Sequence, residues 1–212
     1  MPAVPASHLS VAARLRSEPG VQVVPGQGLD LYVRQNFMTP VECAGLIALI
    51  DVNRRPSTLL AHKPDPTFRT SESCDLDRWH PFVHGVDRRI FTFMGLEEQQ
   101  GETLQGQRYA VGQQFKAHHD WFDPGAPYWS DEHERGGQRT WTAMIYLDEP
   151  AGGGETSFVT AGLTVTPTTG MLVTWNTLGP DGPMQSTLHE SLPVTAGVKT
   201  IVTKWFREGH WI

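Results

Sequence analysis

The chain has 212 residues, 39% hydrophobic and 19% charged, with a formal net charge of −6. That length fits one domain with an N-terminal elaboration, large enough to bury a core without disulfide or metal staples. The acidic balance, with no basic run, excludes the positive footprint that a nucleic-acid partner needs.

No stretch approaches the ~18 apolar residues of a membrane span, so no membrane partner is expected. The start, Met-Pro-Ala-Val-Pro-Ala-Ser-His, lacks the basic-then-apolar pattern of a secretory signal. Two cysteines, Cys43 and Cys74, are too few for a disulfide framework or a cysteine zinc site. They are read as reduced structural thiols, and a cytoplasmic location is expected. Sixteen prolines and 21 glycines favour a turn-rich β architecture over a helical bundle.

Residues 1–28 read as a loosely ordered lead-in, with a short helix predicted around Val11–Arg16. Leu29–Phe37 reads as the first strand. Thr39-Pro40-Val41-Glu42 is a capping box with proline at the first helical position, so a helix starts there. Val41, Leu46, Ile47 and Ile50 carry it to about Asn53. Residues 54–68, holding Pro56, His62, Pro64 and Pro66, form a loop, and Arg69–Cys74 is a candidate strand. A second helix is predicted over Pro81–Met94, with Phe82, Val86, Ile90 and Met94 on one face and Gly95 ending it.

From Glu102 the pattern changes to short apolar or alternating runs broken by turn residues. These are Leu104–Val111, Phe115–Phe122, Thr140–Leu147, Thr156–Val159, Leu163–Thr166, Met171–Trp175, Ser186–Leu192 and Val198–Phe206. They predict a mainly β fold with N-terminal helices, a sandwich or jelly roll rather than alternating α/β units. Residues 1–100 are then lead-in and supporting helices, and 101–212 the core, of one domain. Residues 121–139 form the longest irregular segment after residue 100, the kind of stretch that serves as a lid or binding loop.

Within that second half stands the only His-x-Asp of the chain, His118-His119-Asp120. In an extended segment His118 and Asp120 share a face. One imidazole and one carboxylate make half of a metal site, which a second histidine would complete as the facial triad of a non-haem iron centre. Chance alone supplies about 0.5 such pairs in a chain of this composition, so the pair is weak by itself. Asp123 and His119 project from the opposite face, and His133 lies in the 121–139 loop.

Downstream lies His189-Glu-Ser-Leu-Pro193-Val194-Thr-Ala-Gly197-Val-Lys199. Ten residues of straight strand would separate His189 from Lys199 by about 33 Å. A hairpin through Gly197 is expected to fold Lys199 back beside the histidine. A cation there has a task if a metal-bound dicarboxylate is held at its far end. Lys204, at odd spacing from Lys199, projects from the other face.

Taken in order, several motifs resemble the prolyl 4-hydroxylase family of 2-oxoglutarate- and iron(II)-dependent dioxygenases. They are Tyr109-x-x-Gly112-x-x-Phe115-x-x-His118-x-Asp120-x-Phe122, then Tyr146-Leu147-Asp148, then Gly153-Gly154-Glu155-Thr156-x-Phe158. Gly170-x-Leu172-x-x-Trp175-Asn176 follows, and last His189-x-x-x-Pro193-Val194-x-x-Gly197-x-Lys199 with Trp205. Arg69-Thr70-Ser71 also resembles the segment ahead of this core.

The resemblance implies a double-stranded β-helix (jelly roll, cupin-like), with His118, Asp120 and His189 as iron ligands and Lys199 on the 5-carboxylate of 2-oxoglutarate. It also implies Tyr109, Thr156 and Trp205 at the cosubstrate pocket, and ascorbate as the reductant that keeps iron ferrous. Dioxygen is the second cosubstrate; 2-oxoglutarate yields succinate and carbon dioxide while a C–H bond becomes an alcohol. The expected substrate is a prolyl residue in a peptide or protein, with a free amino acid or other small molecule as the alternative. The 54–80 and 121–139 loops would close over it, with Arg139, Trp121 and Tyr128 as groove candidates. A zinc hydrolase would accept the same three ligands but leaves Lys199 idle. A cupin-like binding protein would need neither the triad nor the lysine.

Overall fold

The computed structural model describes residues 6–26, 28–61, 63–179 and 181–212. Two antiparallel sheets form a sandwich, and helices cover the outer face of the larger one. In the larger sheet the strands run Val21–Val24, Leu31–Arg34, Leu172–Asn176, Arg139–Tyr146, Lys199–Arg207, Gln105–Tyr109, Glu72–Asp75 and Arg55–Pro56. The smaller sheet has the order Leu163–Val165, Thr156–Phe158, His189–Ser191 and Phe115–His118. This is the double-stranded β-helix with N-terminal helices that the motif set implied.

Alternation along each strand divides the apolar side chains into two cores. Trp141, Ala143, Ile145, Val202 and Phe206 face outward and pack on the helices with Leu46, Ile50, Val86 and Ile90. Met144, Tyr146, Val173, Trp175 and Ile201 face inward and meet Phe158 and Val194 between the sheets. Each fully buried Val, Leu, Ile, Phe or Met among them contributes about 1.5–3 kcal/mol.

Helix α1 (Ala6–Ser17) is longer than the short stretch predicted around Val11–Arg16. The lead-in continues into the edge strand Val21–Val24, which pairs with Leu31–Arg34. The expectation of a loose lead-in therefore fails over these residues, because α1 buries Val11, Ala12 and Leu15 in the outer core. Residues 1–5 of that lead-in, and His62 of the 54–68 loop, lie outside the described residues. Helices α2 (Pro40–Asn53) and α3 (Pro81–Met94) have the bounds the capping signals predicted. At α2 the Glu42 amide donates to Thr39 Oγ1 at 3.3 Å, and the Thr39 amide to Glu42 Oε2 at 2.8 Å. Gly95 closes α3 in the left-handed region, at φ 69°.

The turn after His189 differs from the expected hairpin. His189–Ser191 belongs to the smaller sheet and Lys199–Arg207 to the larger. Between them Val194–Ala196 pairs with Gly152–Gly153, so the chain crosses from one sheet to the other. Gly197, at φ 81°, makes the last turn; a Cβ there would sit 2.9 Å from the Ala151 amide nitrogen. Lys199 thus reaches the site from the opposite wall.

Candidate metal centre and cosubstrate pocket

His118 and His189 are direct cross-strand partners in the smaller sheet, with ring centroids 4.4 Å apart. The Phe115–His118 strand ends at His118, and the bend that follows brings Asp120 back to the same side. Asp120 Oδ1 lies 4.0 Å from His118 Nε2, and Oδ2 lies 3.8 Å from His189 Nε2. One ligand atom from each of the three falls within 4.8 Å of the others.

The same local device orients both imidazoles. His118 Nδ1 is 2.8 Å from the Lys116 carbonyl and His189 Nδ1 is 2.9 Å from the Thr187 carbonyl, each two residues upstream. A proton on Nδ1 leaves the Nε2 lone pair free for a metal. The Thr142 hydroxyl donates to Asp120 Oδ2 at 2.7 Å and fixes the carboxylate. Burial, and then the neighbouring His189, push His118 down to about 3, so its ring is neutral at physiological pH. Burial works against ionisation of Asp120, but His189, His118 and Arg139 together with the Thr142 hydroxyl hold its carboxyl below the usual range. Neutral imidazole beside ionised carboxylate is the donor set a divalent metal requires. The three residues would hold ferrous iron, the metal this donor set suits.

The pocket they border lies between the two sheets and is lined by side chains of both. Lys199 enters it from the larger sheet, fully buried, with its Nζ donating to Ser191 Oγ at 2.8 Å. The rings of Tyr109 and Tyr146 stand 5.1 and 5.6 Å from that ammonium. Ser191 is its sole hydrogen-bond partner among the described residues, and burial pushes its pKa down to about 7. A buried amine without a paired carboxylate is a costly arrangement unless a ligand brings the anion. The indole N–H groups of Trp175 and Trp205, which also border the pocket, have no hydrogen-bond partner among the described residues.

Tyr109, Thr156 and Trp205 all line this pocket, and the Tyr146 hydroxyl donates to Thr156 Oγ1 at 2.6 Å. Arg139 stands one layer away: its guanidinium is paired to both oxygens of Glu102, at 2.6 and 2.7 Å, and stacks 4.0 Å from the Trp205 ring centre. Tyr128 packs on Phe122 and accepts from the Asp123 amide, while Trp121 is half-buried near Gly182; neither lines the pocket. His119 stays outside the cluster, and Asp123 accepts from the Gly125 amide at 2.8 Å. Lys204 points outward to Asp87 at 2.8 Å.

Sequence reading missed Ser191, Gln107, Thr142, Ile201 and Thr203. Strand alternation could have found several of them, because Ser191 lies two residues after His189, and Ile201 and Thr203 repeat the phase of Lys199.

The 121–139 loop contains a short helix, α4 (Trp129–Glu134), and is tied down at its base. The Gln138 amide group bridges Phe122, accepting from its N–H at 2.7 Å and donating to its carbonyl at 2.8 Å. Glu132 is paired with Arg207, which also binds Glu102.

A double-stranded β-helix carrying a histidine–aspartate–histidine cluster opposite a buried lysine defines the class of 2-oxoglutarate- and iron(II)-dependent oxygenases. The model of the 2OG-Fe(II) oxygenase superfamily matches residues 104–207. Arabidopsis thaliana prolyl 4-hydroxylase 5 is 34% identical over 202 residues, covering 82% of this chain and 67% of that one. Prolyl 4-hydroxylase 1 of the same plant is 31% identical over 199 residues, with 84% and 69% covered. Among solved structures, the viral collagen prolyl hydroxylase from Paramecium Bursaria Chlorella virus-1, in its 2OG complex, superposes with a TM-score of 0.65. It is 26% identical, with 82% of this chain and 94% of that chain covered. A Pseudomonas putida prolyl-4-hydroxylase shares the fold, with a TM-score of 0.58 at 21% identity over 94% and 98% of the two chains. The chain belongs to the prolyl 4-hydroxylase family of 2-oxoglutarate- and iron(II)-dependent dioxygenases. It is an oxidoreductase that uses iron and 2-oxoglutarate.

Proposed function

We propose that the chain hydroxylates a prolyl residue within a peptide or protein, with His118, Asp120 and His189 holding the iron. The observation that carries the assignment is the buried, carboxylate-free ammonium of Lys199 across the pocket from the triad. Iron, when bound, supplies the oxidising chemistry that couples decarboxylation of 2-oxoglutarate to hydroxylation. Lys199 receives the distal carboxylate in a charge-assisted contact, and Ser191 holds the amine in place. Tyr109 and Thr156 border that carboxylate position, and the apolar wall of Met144, Trp175 and Ile201 excludes water.

An extended substrate is supported by a groove beside the pocket. It is lined by Thr58, Leu59, Ala61, Lys63, Asp65, Pro66 and Arg69, from the loop expected to close over the substrate. Arg69 stacks over Phe115, and Phe115 stacks on His118, so this groove opens next to the metal position. Trp205, stacked against Arg139, lines the cosubstrate pocket from the larger sheet. Ascorbate as reductant is proposed on the family resemblance. A reducing, cytoplasmic setting is inferred, supported by the buried free thiols Cys43 and Cys74.

The test is succinate formation from 2-oxoglutarate with Fe(II), with and without a proline-containing peptide library, followed by mass spectrometry for a proline heavier by one oxygen. Peptide-stimulated turnover with oxidised proline is expected. Absence of iron-dependent turnover under every condition would sink the oxygenase assignment, and turnover stimulated only by small metabolites would sink the peptide substrate.

A further inference from the structure

The inward face of the Gln105–Tyr109 strand carries a polar ladder that connects the groove to the cosubstrate pocket. Arg69 lines the groove, and its Nη2 donates to Gln105 Oε1 at 3.2 Å. Gln107 Nε2 donates to the same oxygen at 3.3 Å and to Thr203 Oγ1 at 3.3 Å. The Tyr109 hydroxyl donates to Gln107 Oε1 at 2.8 Å. Gln107 and Tyr109 are both buried and line the pocket.

The direction of this ladder follows from the chemistry at its outer end. An arginine only donates, so it demands the oxygen of Gln105; Asp75, 3.4 Å from Gln105 Nε2, only accepts when ionised and demands the nitrogen. With Gln105 held in that sense, Gln107 must offer it the nitrogen and turn its own oxygen to Tyr109. The Tyr109 proton is then committed to Gln107. A phenol has one proton, so it cannot at the same time donate to a carboxylate on Lys199.

We propose that Gln105 and Gln107 are positioning residues that hold the Tyr109 hydroxyl away from the cosubstrate, and that Arg69 is the handle that releases it. The reading rests on the proposed function of the pocket. When a peptide carbonyl or carboxylate in the groove draws Arg69 off Gln105, the Gln105 side chain can swing toward Asp75, keeping that contact, and Gln107, left without its acceptor, can turn over. Gln107 then presents its N–H₂ to the phenol oxygen, and the Tyr109 proton is free to donate to the 2-oxoglutarate carboxylate beside Lys199. Substrate in one cavity thereby tightens cosubstrate in the other, through side chains that move only by rotation.

Calorimetric titration of 2-oxoglutarate into the Mn(II)-loaded protein tests this without turnover. Gln105→Leu breaks the ladder outside both cavities and should lower the Kd by about 3–10-fold, the net value of one ordinary hydrogen bond. The same change in a Tyr109→Phe background should do nothing. Gln105→Glu, which keeps an acceptor for Arg69 and Gln107, should bind no more tightly than the parent. Arg69→Met and Gln105→Leu should be less than additive, since both release one relay. An unchanged Kd in Gln105→Leu, or an equal change with and without the Tyr109 hydroxyl, overturns the relay while leaving the pocket assignment intact. A parent protein that binds no 2-oxoglutarate overturns both.

Discussion

Loss of the His189 imidazole removes one of two nitrogen donors from a cluster whose protein geometry already awaits a metal. His189→Ala should raise the Mn(II) Kd by more than about 100-fold and abolish succinate formation, since orienting partners alone are worth about 10–100-fold. Equilibrium dialysis checks it, and metal retained at parental affinity would mean that another residue completes the triad. Thr142→Val, which deletes only the hydroxyl on Asp120 Oδ2, should fall in that 10–100-fold range. Lys199 makes a prediction in pH. Burial lowers its pKa to about 7, so in the ligand-free protein the amine loses its proton above neutrality. A bound carboxylate favours the charged form, so the 2-oxoglutarate Kd should rise about tenfold per unit above pH 7. In Lys199→Arg, always charged, the dependence should flatten; equal slopes from calorimetry would remove the lysine from that role. These residues were legible because the metal and the anion demand particular functional groups at particular spacings. Ser191 and Gln107 were not, since a serine and a glutamine gain their roles only from what faces them.

At the level of elements, legibility followed local physics. Helices α2 and α3 were readable to the residue because proline, a capping box and a C-terminal glycine are signals written where the helix starts or stops. Helix α4 escaped because its six residues, Trp129–Glu134, are too few to show a period. The turn at Pro193–Gly197 was readable as a turn but not as a passage between sheets, because strand partnership is decided by distant residues. Its geometry is exacting. Gly197→Ala would place a methyl against the Ala151 amide at positive φ, costing about 1–3 kcal/mol. The displacement would reach Lys199 two residues on, so the KM for 2-oxoglutarate should rise together with a fall in Tm. A parental KM in a destabilised variant would show that the turn carries stability alone.

For the molecule as a whole, the site opposes the stability of the fold that holds it. The folded-state pKa of Lys199, about 7, lies below its ordinary 10.5. Between those values the unfolded chain binds more protons, so stability of the ligand-free protein should rise with pH across that window, and the burial penalty is felt in full below it. Lys199→Met should therefore raise Tm at pH 7 by about 2–4 °C, for a gain on the order of 1 kcal/mol, while 2-oxoglutarate binding is lost. A lower Tm in calorimetry would show that the amine is stabilised by something other than ligand. The two histidines and the backbone of Lys199 stand on facing sheets, and facing sheets pack about 10 Å apart whatever loops connect them. Lys199 crosses that gap and its amine rests on Ser191, two residues along the strand from His189, so the distance from metal position to amine is gauged along one strand, by about 7 Å of backbone. Loops can diversify around such a gauge, changing which substrate is oxidised, without altering the measure taken of the cosubstrate.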